Sequence, residues 1–506
     1  MPLFFALDAG TTSMKVAVFN ELGYQVAFER LEYTLLTPAP AMVELEAETY
    51  WQAAVAGVQK ILAQGYIRQA EVISLCISSQ GETFVPVNKA GIPLQRALVW
   101  LDNRAASEAS QIARYFSEKY IFEQTGQPNV APTWPACKYL WLKNNRPEVF
   151  YQTHKFLLLE DYLLYRLTGQ FVTETSLQTS SLLLNLHTKT WWPEMLDFLG
   201  IPPEKFGTLC TPGQVIGPLS PQASAELGLS TKTLVVAGSM DQVSASLGAG
   251  NIYPGMTTES TGGAMGIVVT LQHPVFDPRR QIPCHVHALP EQYCVLAWGQ
   301  TAGMALRWFR DQFYTLEAEQ ALQAQLDPYD YLTARAAEIA AGCDGLLALP
   351  HLEGAACPEF DPDARAVFFG ATLRHTRAHF TRAILEAVAY MLKKNLDSVA
   401  TLLEQPISEL RCLGGGARSS LWMQIKADVL QKPVQTVRVE EAACLGAAIL
   451  GAVACGVFSN YSEAVASMVH TQMSIWPNPN NRQVYAQGYA HYNQLYERLQ
   501  PLFSQK

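Results

Sequence analysis

Two stretches of this chain, some 250 residues apart, spell the same local pattern, and few folds can use it twice. Leu3–Leu7 reads as a buried strand. Asp8-Ala9-Gly10-Thr11-Thr12-Ser13 is a turn of small and hydroxyl residues, and Lys15–Phe19 is a second strand with Val16 and Val18 on one face. Tyr24–Phe28 extends the meander. From Met256 to Val269 the chain again reads strand, small hydroxyl turn (Ser260-Thr261-Gly262-Gly263), strand. Glycine and hydroxyl residues between two strands let backbone N–H groups converge on an anion without a basic patch, although a plain hairpin turn uses the same residues. The echo suggests two related halves meeting at a cleft, cut near residue 246 into domains 1–246 and 247–506.

The rest of the sequence suits that organisation. A chain of 506 residues is too long for one core, and its strands and helices alternate, which is the α/β class. A helix is expected over Ala47–Leu62 and a buried strand over Val72–Ile77. A short strand, Leu234–Gly238, precedes Ser239-Met240-Asp241-Gln242. A long helix begins near Thr376, with Phe380, Ile384, Leu385, Val388, Met391 and Leu392 at helical spacing. Strand Leu410–Leu413 runs into Gly414-Gly415-Gly416, and helix resumes from Leu421.

Composition excludes several functions. The net charge of −9 and the lack of any Lys/Arg run argue against nucleic acid and anionic membranes as partners. No basic leader precedes Asp8, and the longest apolar stretch, Ala442 to Phe458, falls short of the ~20 residues of a membrane span. Its small residues suit a helix packed closely inside a domain. Ten scattered cysteines without a CxxC pair read as reduced thiols of a cytoplasmic protein. Cys284-His285-Val286-His287 lacks a partner cluster at ligand spacing and is read as structural.

There is no GxxxxGK[ST], so a P-loop is excluded. The paired turns resemble instead the actin/hexokinase/chaperone class of ATPases, which implies two duplicated actin-like, ribonuclease H-like domains with a central cleft. Further segments narrow the class. These are Ser79-Gln80-Gly81-Glu82-Thr83, Trp100-Leu101-Asp102-Asn103-Arg104, Gly238-Ser239-Met240-Asp241-Gln242, Phe368-Phe369-Gly370-Ala371-Thr372-Leu373-Arg374 and Gly414-Gly415-Gly416-Ala417-Arg418-Ser419. In this order, across residues 3 to 460, they resemble the FGGY carbohydrate kinases, nearest the xylulokinase-like branch.

The resemblance implies ATP and Mg²⁺ as cofactors and a small sugar or polyol as substrate; a homodimer is compatible with it. It implies that Asp241 is the general base, where the residue alone would also serve as a helix N-cap. Asp8 becomes the Mg²⁺ carboxylate, Gly10, Thr11, Thr12 and Ser13 the first phosphate loop, and Thr261, Gly262 and Gly263 the second. Gly299 and Gly303 fall near the nucleotide, and Gly415, Gly416 and Ser419 near adenine and ribose. Gln80, Glu82, Asp102, Arg104, Asp241 and Gln242 form the sugar-binding set, with Trp100 read as core and Glu174 as a structural bridge between loops. Gly81-Glu82 departs from the Arg-Glu of glycerol kinases and the Met-His of xylulokinases, and Thr133 stands where glycerol kinases have Tyr. The expected activity is phosphorylation of a ketopentose such as xylulose, glycerol being disfavoured. The alternatives are another polyol, ketose or sugar acid, or a sugar-sensing ATPase without kinase turnover.

Overall fold

A computed structural model describes residues 1–404 and 406–504. In chain order, the elements that matter below begin with strands β1 (Leu3–Ala9), β2 (Ser13–Asn20) and β3 (Gln25–Glu32), helix α1 (Ala47–Ala63) and strand β4 (Val72–Ser79). Helices α2 (Pro135–Asn145) and α3 (Leu159–Thr168), strands β5 (Val215–Pro218) and β6 (Leu234–Met240), and helix α4 (Asp241–Gly248) follow. Next come β7 (Met256–Thr261), β8 (Met265–Leu271), α5 (Gly303–Phe313), α6 (Arg377–Ala400), β9 (Glu409–Leu413), α7 (Ser420–Leu430), β10 (Val434–Val437), α8 (Ala442–Ala454) and β11 (Thr471–Ile475).

The chain forms two compact units that are discontinuous in sequence. The first holds Met1–Tyr253, Thr270–Cys294 and Glu441–His470; the second holds Pro254–Val269, Val295–Glu440 and the described residues of Thr471–Lys506. A single cut at residue 246 would fall inside α4.

In the first unit the sheet order is β5-β6-β4-β1-β2-β3. β1 is buried along its whole length, as expected of a central strand covered on both faces. It pairs antiparallel with β2 and parallel with β4, and β6 runs parallel on the far side of β4. Helix α1 covers one face through Tyr50, Trp51, Ala54 and Val58. Helix α8 packs against β1, β4 and α4. Its contact with α4 is so close that a Cβ on Gly446 would lie 1.9 Å from Ser244 O, which explains the run of small residues there.

The second unit repeats this plan. β7 pairs antiparallel with β8 and parallel with β9, β9 pairs parallel with β10, and β10 antiparallel with β11. Strand for strand, β8-β7-β9-β10-β11 matches β2-β1-β4-β6-β5. The duplication suggested by two turns is therefore present as topology. Among the described residues no helix is long and apolar enough to cross a membrane.

Candidate active site

The carboxyl ends of adjacent parallel strands are where α/β sheets place ligands, and three of them carry the expected residues of the first unit. Asp8 stands opposite Ser78 in the β1–β4 pairing, and Met240, just before Asp241, stands opposite Ser79. Two strand spacings, about 10 Å, separate β1 from β6. Asp241 is the first residue of α4, and Met240 occupies the N-cap position. Its carboxylate caps nothing beyond its neighbour, accepting only the Gln242 N–H at 2.6 Å. Burial, then the charge of Asp8, then that of Glu82 push Asp241 up to about 7, against the pull of the Gln242 N–H and Lys15. An Asp poised there can take a proton at neutral pH.

The first turn is built around Asp8. Ser78 Oγ donates to Asp8 Oδ1 at 3.1 Å, and Lys15 Nζ lies 3.2 Å from Oδ2. Gly10 N–H is held by the carbonyls of Asp8 and Ser13, while Thr12 remains exposed. Tyr33 OH donates to the Gly10 carbonyl, and the Trp100 indole N–H donates to Thr11 Oγ1 at 2.8 Å. Trp100 thus joins this turn to the segment that holds Asp102. Lys15 continues to Glu441 at 2.7 Å, and Arg30 reaches the other oxygen of Glu441 at 2.8 Å. Lys15 and Glu441 were not singled out from sequence. The available signal was a lysine two residues beyond the hydroxyl turn, on a strand whose neighbours Met14 and Val16 are buried.

Among the sugar-site candidates, Gln80 is buried, donates to Tyr50 OH at 3.3 Å, and keeps its amide oxygen without a hydrogen-bond partner. Glu82 holds φ = 56°, the left-handed region that non-glycine residues seldom occupy, and such strain gathers at binding sites. Burial pushes its carboxyl above the usual range, with Ser180 and Lys138 pulling the other way. Lys138 is wholly buried on α2, donating to the Val99 carbonyl at 2.8 Å. Burial draws it down to about 8 in spite of Asp102 and Glu82.

Asp102 and Arg104 are spent on each other. The Asp102 side chain is inaccessible (0%), and both of its oxygens accept from Arg104, with Val43 N–H adding a bond at 2.6 Å. Arg104 also binds Glu44 at 2.7 Å and lies 4.9 Å from the ring centre of Trp141. Gln242 follows Asp241 on α4 and is partly exposed.

In the second unit the turn after β7 gathers the remaining glycines. Gly303 N–H donates to the Gly262 carbonyl at 3.0 Å, and Ala302 and Met304 N–H donate to that of Gly263. A Cβ on Gly303 would lie 2.2 Å from Gly262 O, and one on Gly416 would lie 2.8 Å from Thr261 Cβ. Gly262, Gly263 and Gly415 are exposed, Gly299 is buried beneath, and Ser419 Oγ caps α7 through Trp422 N–H at 3.3 Å. Below the turn, Lys426 and Glu259 form a fully buried ion pair at 2.6 Å, and Lys426 also reaches Thr261 Oγ1 at 2.9 Å. The pair anchors the turn to α7.

Other sequence candidates have plain structural partners. His285 and His287 are buried, and burial pulls them down to about 4 and about 3. His285 meets Gln127, and His287 meets Thr270 and the Leu289 N–H. All ten cysteines are unpaired. Glu174 caps the turn Thr175–Gln178. Among the described residues no three His, Cys, Asp or Glu side chains gather at metal-ligand spacing. A lone carboxylate such as Asp8, with a hydroxyl beside it, suits Mg²⁺ that brings water and phosphate as its other ligands.

Comparison with known proteins agrees with this arrangement. Residues 3–248 match the N-terminal domain of the FGGY family of carbohydrate kinases, and residues 260–455 match its C-terminal domain. The chain is 32% identical over 464 residues to a gluconokinase of Bacillus licheniformis, covering 92% of this chain and 89% of that one. It is 27% identical over 499 residues to a xylulose kinase of Staphylococcus epidermidis, covering 98% and 97%. The crystal structure of a gluconate kinase from Lactobacillus acidophilus superposes with a TM-score of 0.90 at 25% identity, over 99% of this chain and 98% of that one. The chain belongs to the FGGY family of carbohydrate kinases.

Proposed function

We propose that this kinase transfers the γ-phosphoryl group of ATP to a hydroxyl of a small neutral sugar, a ketopentose such as xylulose first. The observation that carries the reading is Asp241, a partly exposed carboxylate at a strand end, pushed up to about 7. In the transfer, the acceptor hydroxyl gives its proton to Asp241 as its oxygen bonds to the γ-phosphorus. The bond to the β-phosphate oxygen breaks, and ADP leaves. The transition state is loose, so the protein's part is to position groups and offset charge.

In this reading Asp8 would hold Mg²⁺, and the cation would offset phosphate charge. Gly10, whose N–H is taken up by Asp8 and Ser13, shapes a turn in which Thr11, Thr12 and Ser13 offer N–H groups and hydroxyls to phosphate, with Lys15 beside them. In the second unit Thr261 is held by Glu259 and the Gly262 N–H by Ala264, so that turn offers the Gly263 N–H, and Gly299, Gly303, Gly415, Gly416 and Ser419 make room for the nucleoside. Gln80, Glu82 and Gln242 bind the sugar. Asp102 and Arg104 brace this set through the ion pair between them.

Charge favours a neutral substrate. Lys15 is committed to Asp8 and Glu441, Lys138 to backbone carbonyls, and Arg104 to Asp102 and Glu44. A substrate carboxylate would meet Asp8, Glu82 and Asp241 with these three cations already engaged. The second reading, a sugar acid, draws on the 32% identity to a gluconokinase. Measuring kcat/KM for D-xylulose and D-gluconate in a coupled ADP assay decides between them. Xylulose ahead by about tenfold or more supports the first, since one unpaired charge is worth at least that much; gluconate ahead overturns it.

A further inference from the structure

Strand β6 does not run evenly beside β4. Its register shifts between Val236 and Ser239, and Gly238 is pressed so close that a Cβ there would lie 1.4 Å from Ile77 O. A bulge of this kind takes N–H groups off the ladder and re-aims the residues beyond it. Side chains take up those groups. Gly238 N–H donates to Glu160 Oε1 at 2.8 Å, and Met240 N–H donates to Ser176 Oγ at 3.2 Å. The Ser176 hydroxyl donates in turn to Glu174 Oε1 at 2.9 Å, and Glu174 Oε2 is fixed by the Ser176 N–H at 2.5 Å. Glu160, Glu174 and Ser176 have no solvent exposure (0%).

Carboxyls are costly to enclose when ionised. Burial pushes both glutamates up, Glu174 to about 8, and in the structure each acts as a hydrogen-bond acceptor. Apolar side chains would fill the same space at no such cost. What they could not do is hold the last residues of β6, and the next residue is Asp241.

We propose that Glu160 and the Glu174–Ser176 pair are positioning residues for the general base: they fix the bulged end of β6 and so set where the Asp241 carboxylate stands. The inference rests on reading Asp241 as the base. The test compares kcat and sugar KM in Glu160→Leu, Glu160→Gln, Ser176→Ala and Asp241→Asn. A shift of the base of the order of 1 Å lowers kcat by up to about 10²-fold in Glu160→Leu, with sugar KM within about threefold of wild type. Glu160→Gln keeps an acceptor oxygen and recovers most of that loss. Ser176→Ala, a smaller excision, gives the same split should Glu160→Leu fail to fold. On the Asp241→Asn background, Glu160→Leu adds no further loss. A wild-type kcat in Ser176→Ala, equal losses in Glu160→Gln and Glu160→Leu, or a Glu160→Leu loss that persists in full beside Asp241→Asn each overturns the proposal. A wild-type rate in Asp241→Asn alone instead removes the base reading beneath it.

Discussion

The pH dependence of turnover follows directly from the surroundings of Asp241. Burial disfavours its charge, and Asp8 and Glu82 add repulsion, so the carboxyl stands at about 7 where an unperturbed aspartate stands near ~4. A base at about 7 is roughly nine-tenths ionised at pH 8, about one-tenth at pH 6 and about one-hundredth at pH 5. Sugar kcat/KM therefore falls about tenfold from pH 8 to pH 6 and about tenfold again to pH 5. The assay is coupled ADP release with the sugar varied at saturating MgATP. Glu82→Gln moves the acid limb to lower pH, because the Glu82 charge helps hold Asp241 up, and the shift is read from the limb's position, independent of any weaker sugar binding. The linked stability has the opposite use of charge. Because the folded-state value lies above the ordinary one, Asp241 adds stability below pH ~4 that is lost as pH rises through about 7. Asp241→Asn should accordingly melt higher than wild type at pH 8 and no higher at pH 4. An acid limb near pH 4, or one that ignores Glu82→Gln, would overturn the assignment of Asp241 as the base.

Three further outcomes test other parts of the account. Lys426→Met strands the buried Glu259 carboxylate and should cost about 3–5 kcal/mol in denaturant unfolding, part of it recovered in the double variant with Glu259→Gln. Gly303→Ala places a methyl 2.2 Å from the Gly262 carbonyl; kcat/KM for ATP should fall on the order of 10²-fold while calorimetric sugar binding is unchanged. Arg104→Lys loses the fork on Asp102 and the stacking on Trp141. As a brace it should cost about 1–3 kcal/mol of stability with sugar KM little changed; a large rise in KM with unaltered melting would make Arg104 a direct sugar contact.

What could be read from the sequence was local. The hydroxyl turns at 10–13 and 260–263, the strand ending in Asp8 and the glycine run at 414–416 announce themselves because small residues in a row have few other uses. The strands lie within four residues of the expected positions: Leu3–Leu7 extends to Ala9, and Tyr24–Phe28 is displaced to Gln25–Glu32. What escaped reading depends on distant partners. Glu441 reaches Lys15 across more than four hundred residues, and it can do so because 441–470 return to the first unit. The bulge at Gly238 looks in sequence like any glycine in a strand, and only its clash with Ile77 O and its bond to Glu160 reveal it. The pairing of Asp102 with Arg104 could not be read either, because acid and base two residues apart carry no mark of it in sequence.

The kinase reading is tested by one paired measurement: sugar-dependent ADP release and sugar binding, each in wild type and in Asp241→Asn. It predicts ADP release by wild type only when sugar is present, a loss of about 10²–10⁴-fold in the variant, and sugar affinity retained in both. Equal ADP release with and without sugar, or a variant that turns over like wild type while still binding sugar, would contradict it.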